Sequence, residues 1–229
     1  MDLLRSLRTT PASREFTERS VEEAEIAEIL DDARFAPSGG NRQAWKVVVI
    51  RDPEIRKDLR DLYLLGWYRY LSMTLSGLTP FAPITDLDAE RKAIEAAPGL
   101  AEHFAGDGSG FAEQLHKAPA LLLVAADLRE LAAVDRDLDR YSFAGGASVY
   151  PFAWSVLLAA RARGLGGVIT TMPIVHEDEL KALVHLPEAF AVACLIVLGE
   201  PKREIIKLRR QAVSDFTTID YFDGESLGS

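Results

Sequence analysis

Residues 36–45 read Ala36-Pro37-Ser38-Gly39-Gly40-Asn41-Arg42-Gln43-Ala44-Trp45 and stand between a helical pattern and a strand pattern. Adjacent glycines let a flat ligand approach the backbone closely, because neither carries a Cβ. Around them stand a hydroxyl, two carboxamides and a guanidinium. Such groups offer the mixed donors and acceptors that the edge of a heteroaromatic ring requires. A turn that merely ends a helix, with incidental polar residues, accounts for the same stretch equally well, so its chemistry alone leaves both readings open.

Upstream, Ser20-Val21-Glu22-Glu23 predicts a capping box opening a helix with apolar Ala24, Ile26, Ala27, Ile29 and Leu30, running to about Phe35. Downstream, residues 45–50 predict a buried strand, Asp52-Pro53 a turn, and Glu54 to about Tyr63 a helix. From Gly66 to Lys117 the pattern loosens. Its aromatics and the glycine cluster at 106–110 predict short helices joined by mobile loops, an elaboration too small to hold its own core. Apolar runs at 120–126, 166–170 and 190–198 predict further strands. Residues 147–163 predict a central buried helix closed by Gly164, and 177–184 a last helix. Strands and helices without regular βαβ alternation give an α+β fold, read as one domain over residues 1–229.

The chain has 229 residues and a net charge of −9, which argues against a general nucleic-acid or anionic-membrane surface. A single cysteine, Cys194, can build neither an internal disulfide nor a thiolate metal site, and fits a reducing compartment. The N-terminus lacks the apolar core of a signal peptide, and the longest apolar stretches are too short to span a bilayer. A soluble, cytoplasmic protein is expected. The histidines are scattered, and His176-Glu177-Asp178-Glu179-Leu180 lacks the second histidine of a zinc helix, so no metal is expected. Asp135, Asp137 and Asp139 alternate like the start of a calcium loop. Arg140 stands where glycine is needed, so a solvated acidic turn is expected. There is no dinucleotide or Walker glycine loop, and no nucleophile elbow.

In this acidic chain the positive charge is concentrated. Lys202, Arg203, Lys207, Arg209 and Arg210 lie together, and Arg5, Arg8, Arg14 and Arg19 lie near the N-terminus. One bound anion or a solvated basic face would explain them. The glycine-rich stretch 164–171 presents backbone N–H groups to a ligand or simply allows tight helix–strand packing. The tail carries Ile205, Ile206, Leu208, Phe216, Ile219, Tyr221 and Phe222, apolar residues that wrap their own core or, the favoured reading, embrace a second subunit.

In chain order these segments resemble the flavin-dependent nitroreductase family. Residues 36–45 resemble its A-P-S-x-x-N-x-Q-P-W signature, with Ala44 in place of proline. Arg14-Glu15-Phe16 resembles the end of its R-x-S-x-R-x-F. Thr9 to Ser13 lack that motif's first arginine and serine, leaving Arg8 or Ser13 to stand in. Gly164-Leu165-Gly166, Val197 to Pro201 and the basic run Lys207-Leu208-Arg209-Arg210 resemble later family segments.

The resemblance implies a nitroreductase-like α+β fold, with a central, mostly antiparallel sheet flanked by helices. It implies an intertwined homodimer with C-terminal tail exchange and non-covalent FMN at its interface. Arg14, Lys207 and Arg209 would meet the phosphate, Ser38, Gly39, Asn41 and Gln43 would line the cofactor, and Thr170 and Thr171 would sit near its reactive edge. Hydride would pass from NADH or NADPH through the flavin to a nitroaromatic, quinone or activated alkene, in ping-pong order. The cofactor carries the chemistry, so no acid–base set is required. Trp67, Tyr70 and Phe81 would roof the pocket and select the acceptor, or would simply belong to helices packed on the core. A biosynthetic or dehalogenating specialist and a non-catalytic flavin-binding module are the competing functions.

Overall fold

A computed structural model describes residues 2–228. Its helices are α1 (Leu3–Thr9), α2 (Glu23–Ala33), α3 (Pro53–Leu75), α4 (Leu87–Ala96), α5 (Ala101–Ala105), α6 (Tyr150–Ala162) and α7 (Glu177–Leu183). Four strands, β1 (Trp45–Val49), β2 (Ala120–Asp127), β3 (Gly166–Thr170) and β4 (Phe190–Gly199), pair antiparallel in the order β1-β2-β4-β3.

The central strands β2 and β4 are apolar on both faces because both faces are covered. Leu122 and Val124 enter a core with Ile26 and Ile29 of α2 and Val156 of α6. Leu121 and Leu123 enter a second core with Leu59 of α3 and Leu180 of α7. Strand side chains alternate between faces, so one continuous apolar run serves both layers. A bulge interrupts the alternation: Val124 pairs with Cys194 and Ala125 with Val192, leaving Ala193 unopposed. The Tyr150 hydroxyl donates to the freed Ala193 carbonyl at 3.1 Å.

The N-terminal segment is stitched to the ends of two strands. Ser13 N–H donates to the Gly167 carbonyl at 2.9 Å, Thr17 N–H to Glu200 at 2.8 Å, and Lys202 N–H to Glu15 at 3.0 Å. Arg14 is thereby carried beside the end of β3.

Three expectations need correction. The capping box does not form: Ser20 Oγ donates to Glu22 Oε1 at 2.5 Å, and α2 begins only at Glu23 without a side-chain cap. Val21, 1% exposed in the first core, holds the chain extended past Ser20. The helix predicted to stop near Tyr63 runs on through Gly66 to Leu75. Gly66 does not break α3; there the helix passes so close to the Met172 carbonyl oxygen that a Cβ would overlap it. The central helix starts at Tyr150, after a 3-10 turn at Ala144–Ser148. Among the described residues, no helix is long and apolar enough to cross a membrane.

Candidate active site

β3 ends at Thr170, and the chain turns at Thr171 into a 3-10 segment, Met172–His176, beneath α3. Tyr63, Trp67, Tyr70 and Leu71 fall at i, i+4, i+7 and i+8 of α3, one helical face. With Arg14, Phe104 of α5 and residues 110–113 they enclose a cavity of about 670 Å³ floored by Thr170, Thr171 and Met172. Trp67 and Tyr70 stack with ring centres 5.3 Å apart and planes 8° from parallel. Tyr63 meets Phe111 edge-on at 6.2 Å, and its hydroxyl lies 3.5 Å from Thr170 Oγ1. Burial raises the Tyr63 phenol and the nearby Glu113 carboxylate adds to the rise, while the Thr170 bond and the Arg14 charge oppose it. Tyr68, on the next position of α3, donates to Glu113 Oε1 at 3.1 Å; burial first, then that bond, pushes its phenol up to about 12.

Two further cavities adjoin this one. A space of about 470 Å³ shares Arg14, Gly110 and Phe111 with it and adds Lys117 and Lys202. Another of about 520 Å³ shares Tyr70, Thr171 and Met172 and adds Phe81. Arg14 makes no ion pair with any described carboxylate, although the chain carries many surface ion pairs.

Arg14, Trp67, Tyr70, Thr170 and Thr171 are therefore brought together, with Phe81 next to them. Ser38, Gly39, Asn41 and Gln43 do not line these cavities within one chain. Their turn is built tightly elsewhere. Gln43 N–H donates to Ser38 Oγ at 3.0 Å, Gly39 N–H to Ser148 Oγ at 3.0 Å, and Arg42 to the Glu130 carbonyl at 3.1 Å. Asn41 and Gln43 hold positive φ of 54° and 53°, a conformation that persists only where surrounding bonds impose it. Trp45 anchors the stretch by stacking on Phe152 of α6 at 4.7 Å. Lys207 and Arg209 are exposed in the tail and line no cavity described above, and neither do Arg8 and Ser13. The sequence reading missed Tyr63, Phe104, Phe111 and Glu113. The i, i+4, i+7 spacing was available once α3 was carried through Gly66.

Asp135 also departs from expectation. It is buried, 3% exposed, not part of a solvated turn. Ser142 Oγ donates to it at 2.7 Å, Phe143 N–H at 2.9 Å and Arg140 at 2.8 Å, with Ala144 N–H adding a further bond. These donors hold its carboxyl well below the ordinary carboxylate range. It organises the loop that carries Ala132 and Ser148 against Gly39. Because the folded state depresses this acid, its stabilisation is full above the unfolded value near pH 4 and is lost as pH falls toward the depressed one. Asp135→Asn is expected to lower the unfolding temperature at neutral pH and to flatten the acid limb of the stability curve. Thermal melts between about pH 2 and 7 check both.

The chain belongs to the Nitroreductase family, whose pattern matches residues 7–200. An NADH dehydrogenase of Thermus thermophilus is 28% identical over 191 residues, covering 83% of this chain and 82% of its own. A BluB-like flavoprotein of Clostridium difficile shares the fold with a TM-score of 0.66 at 19% identity, over 95% of this chain and 98% of that one. A nitroreductase with bound FMN from Desulfitobacterium hafniense does so with a TM-score of 0.58 at 17% identity, over 91% and 93% of the two chains.

Proposed function

We propose that this chain is an FMN-dependent oxidoreductase that passes reducing equivalents from NADH or NADPH to a small flat acceptor such as a nitroaromatic, quinone or activated alkene, in ping-pong order. The observation that carries this reading is an unpaired arginine, Arg14, at an aromatic-walled cavity floored by Thr170 and Thr171. These residues fit FMN. A guanidinium without a carboxylate partner can grip a phosphate bidentately, and a cavity of about 670 Å³ with stacking walls suits a flat cofactor-sized ligand.

FMN, when bound, supplies the two-electron chemistry between nucleotide and acceptor. Each nitro-to-nitroso step consumes one NAD(P)H and one proton and yields NAD(P)⁺ and one water. The protein's own residues bind and exclude. Arg14 would neutralise the phosphate, joined by Lys207 and Arg209 from the exchanged tail of a second copy. Trp67 and Tyr70, with Phe81 beyond them, stack on the acceptor and keep water from it. Thr170 and Thr171, on the cavity floor, would face the reactive edge of the bound ring.

Ser38, Gly39, Asn41 and Gln43 reach the same cofactor from a second copy of the chain, because within one copy their turn lies apart from the cavity. Homodimer formation also accounts for two exposed features. β1 is an edge strand, and among the described residues its outer side has no ladder partner. The tail presents Phe216 at 63%, Tyr221 at 75% and Phe222 fully exposed. Exchange of tails would cover both. A single, buried thiol, Cys194, suits a cytoplasmic setting. A non-catalytic flavin module would not need the aromatic roof of α3.

The absorption spectrum of the purified protein tests the reading: flavin bands should be present and should bleach anaerobically with NADH or NADPH. Colourless protein that refuses added FMN overturns it. Arg14→Ala is expected to weaken FMN binding about tenfold to a hundredfold, the worth of one charge-assisted phosphate contact, read by fluorescence titration.

A further inference from the structure

We propose that Glu113 sets the charge preference of the acceptor site, favouring flat electron acceptors that carry an amino or other cationic group and disfavouring those that carry a carboxylate. This rests on the flavoenzyme reading given above and names the substrate class of that same site.

Arg14 and Glu113 are the charged side chains of the main cavity. They form no ion pair with each other, yet both act on the Tyr63 phenol, with opposite signs. Arg14 continues into the adjoining space, which Lys117 and Lys202 also line, together with Glu15 and Glu18, three cationic groups against two carboxylates. That end is suited to the anionic tail of a cofactor. Glu113 does not line that space, so once an anion occupies Arg14 the carboxylate of Glu113 is the net charge left facing the acceptor.

This carboxylate is held in place. Tyr68 donates to Oε1 at 3.1 Å, and the Tyr68 ring lies against Phe104 at 5.8 Å. Oε2 rests against Gly110, where a Cβ would collide with it. The next residue locks the turn, Gln114 N–H donating to the Gly110 carbonyl at 3.0 Å and its carboxamide to Gly108 at 2.5 Å. A fixed carboxylate on a residue that lines the same cavity as Tyr63, Trp67, Tyr70 and Phe104 makes a site for a cation. Aromatic faces attract positive charge, and partial burial weakens solvent screening.

The test uses the holoenzyme and three probes of similar shape, para-nitrobenzylamine, para-nitrobenzoate and nitrobenzene. Binding is read by quenching of tryptophan fluorescence, and turnover as kcat/KM with NAD(P)H. The amine should bind about tenfold more tightly than the benzoate, attraction and repulsion each adding a few-fold, with the difference appearing in KM. Raising the salt concentration should compress that ratio, and Glu113→Gln should bring it to within about twofold. Equal affinity of the wild type for amine and benzoate, or a preference that survives Glu113→Gln, overturns the proposal. Reduction of nitrobenzene without charge preference sinks this inference and leaves the flavoenzyme reading intact. Charge-selective binding without any reduction does the reverse.

Discussion

Gly66→Val is expected to destabilise the fold by about 3 kcal/mol or more and to abolish tight FMN binding together with it. A Cβ at residue 66 would overlap the Met172 carbonyl oxygen, and would sit 3.2 Å from its carbonyl carbon and 3.4 Å from Val175 Cγ2. The obstructing atom is backbone, in the Met172–His176 turn held between β3 and α7, so no flexible side chain can yield. Either α3 lifts, taking Trp67 and Tyr70 with it, or Thr171 and Met172 move down. Both walls belong to the same cavity. Gly66→Ala should show the same defect at about 1–3 kcal/mol, part of it offset by alanine's better helix propensity. Urea unfolding and FMN titration together check this, and an alanine variant as stable as the parent with unchanged FMN affinity would overturn it.

Truncation after Pro201 is expected to turn a dimer into a monomer and to weaken FMN binding more than Arg14→Ala does. It removes Lys207, Arg209 and the exposed tail aromatics. It also removes Glu204, which pairs at 2.9 Å with the buried Arg161 of α6. Truncation after Arg210 separates these contributions, since it keeps Glu204 and the basic residues and removes only the aromatic end. Loss of the dimer with a preserved fold is expected there, measured by sedimentation and thermal melts. A dimer that survives both cuts would place the tail on its own subunit.

The sheet was legible because its cause is local. A run such as residues 120–126, apolar at every position, has few outcomes other than a strand covered on both faces, and residues 166–170 form β3 as predicted. Gly66 was misread because a glycine in a helical pattern looks like a terminator. Its actual reason, a carbonyl oxygen more than a hundred residues away, leaves no trace in the neighbouring sequence. Asp135 failed for a similar reason: an acidic triplet resembles a surface turn until Ser142, Phe143 and Arg140 fold back on it. The candidate site divides along the same line. The turn at 36–45 could be read as a motif, while the cavity is assembled from Arg14, α3 and residues 110–113, segments that only the tertiary fold brings together.

Arg14 belongs to no independent loop. Ser13, on one side of it, is hydrogen-bonded to Gly167 within β3, and Thr17, on the other, to Glu200 just past β4. The backbone that carries Arg14 therefore keeps its place for as long as the sheet does, and does not fray on its own. Hydrogen exchange at the Ser13 and Thr17 amides should accordingly be as slow as that of β3 and β4 themselves.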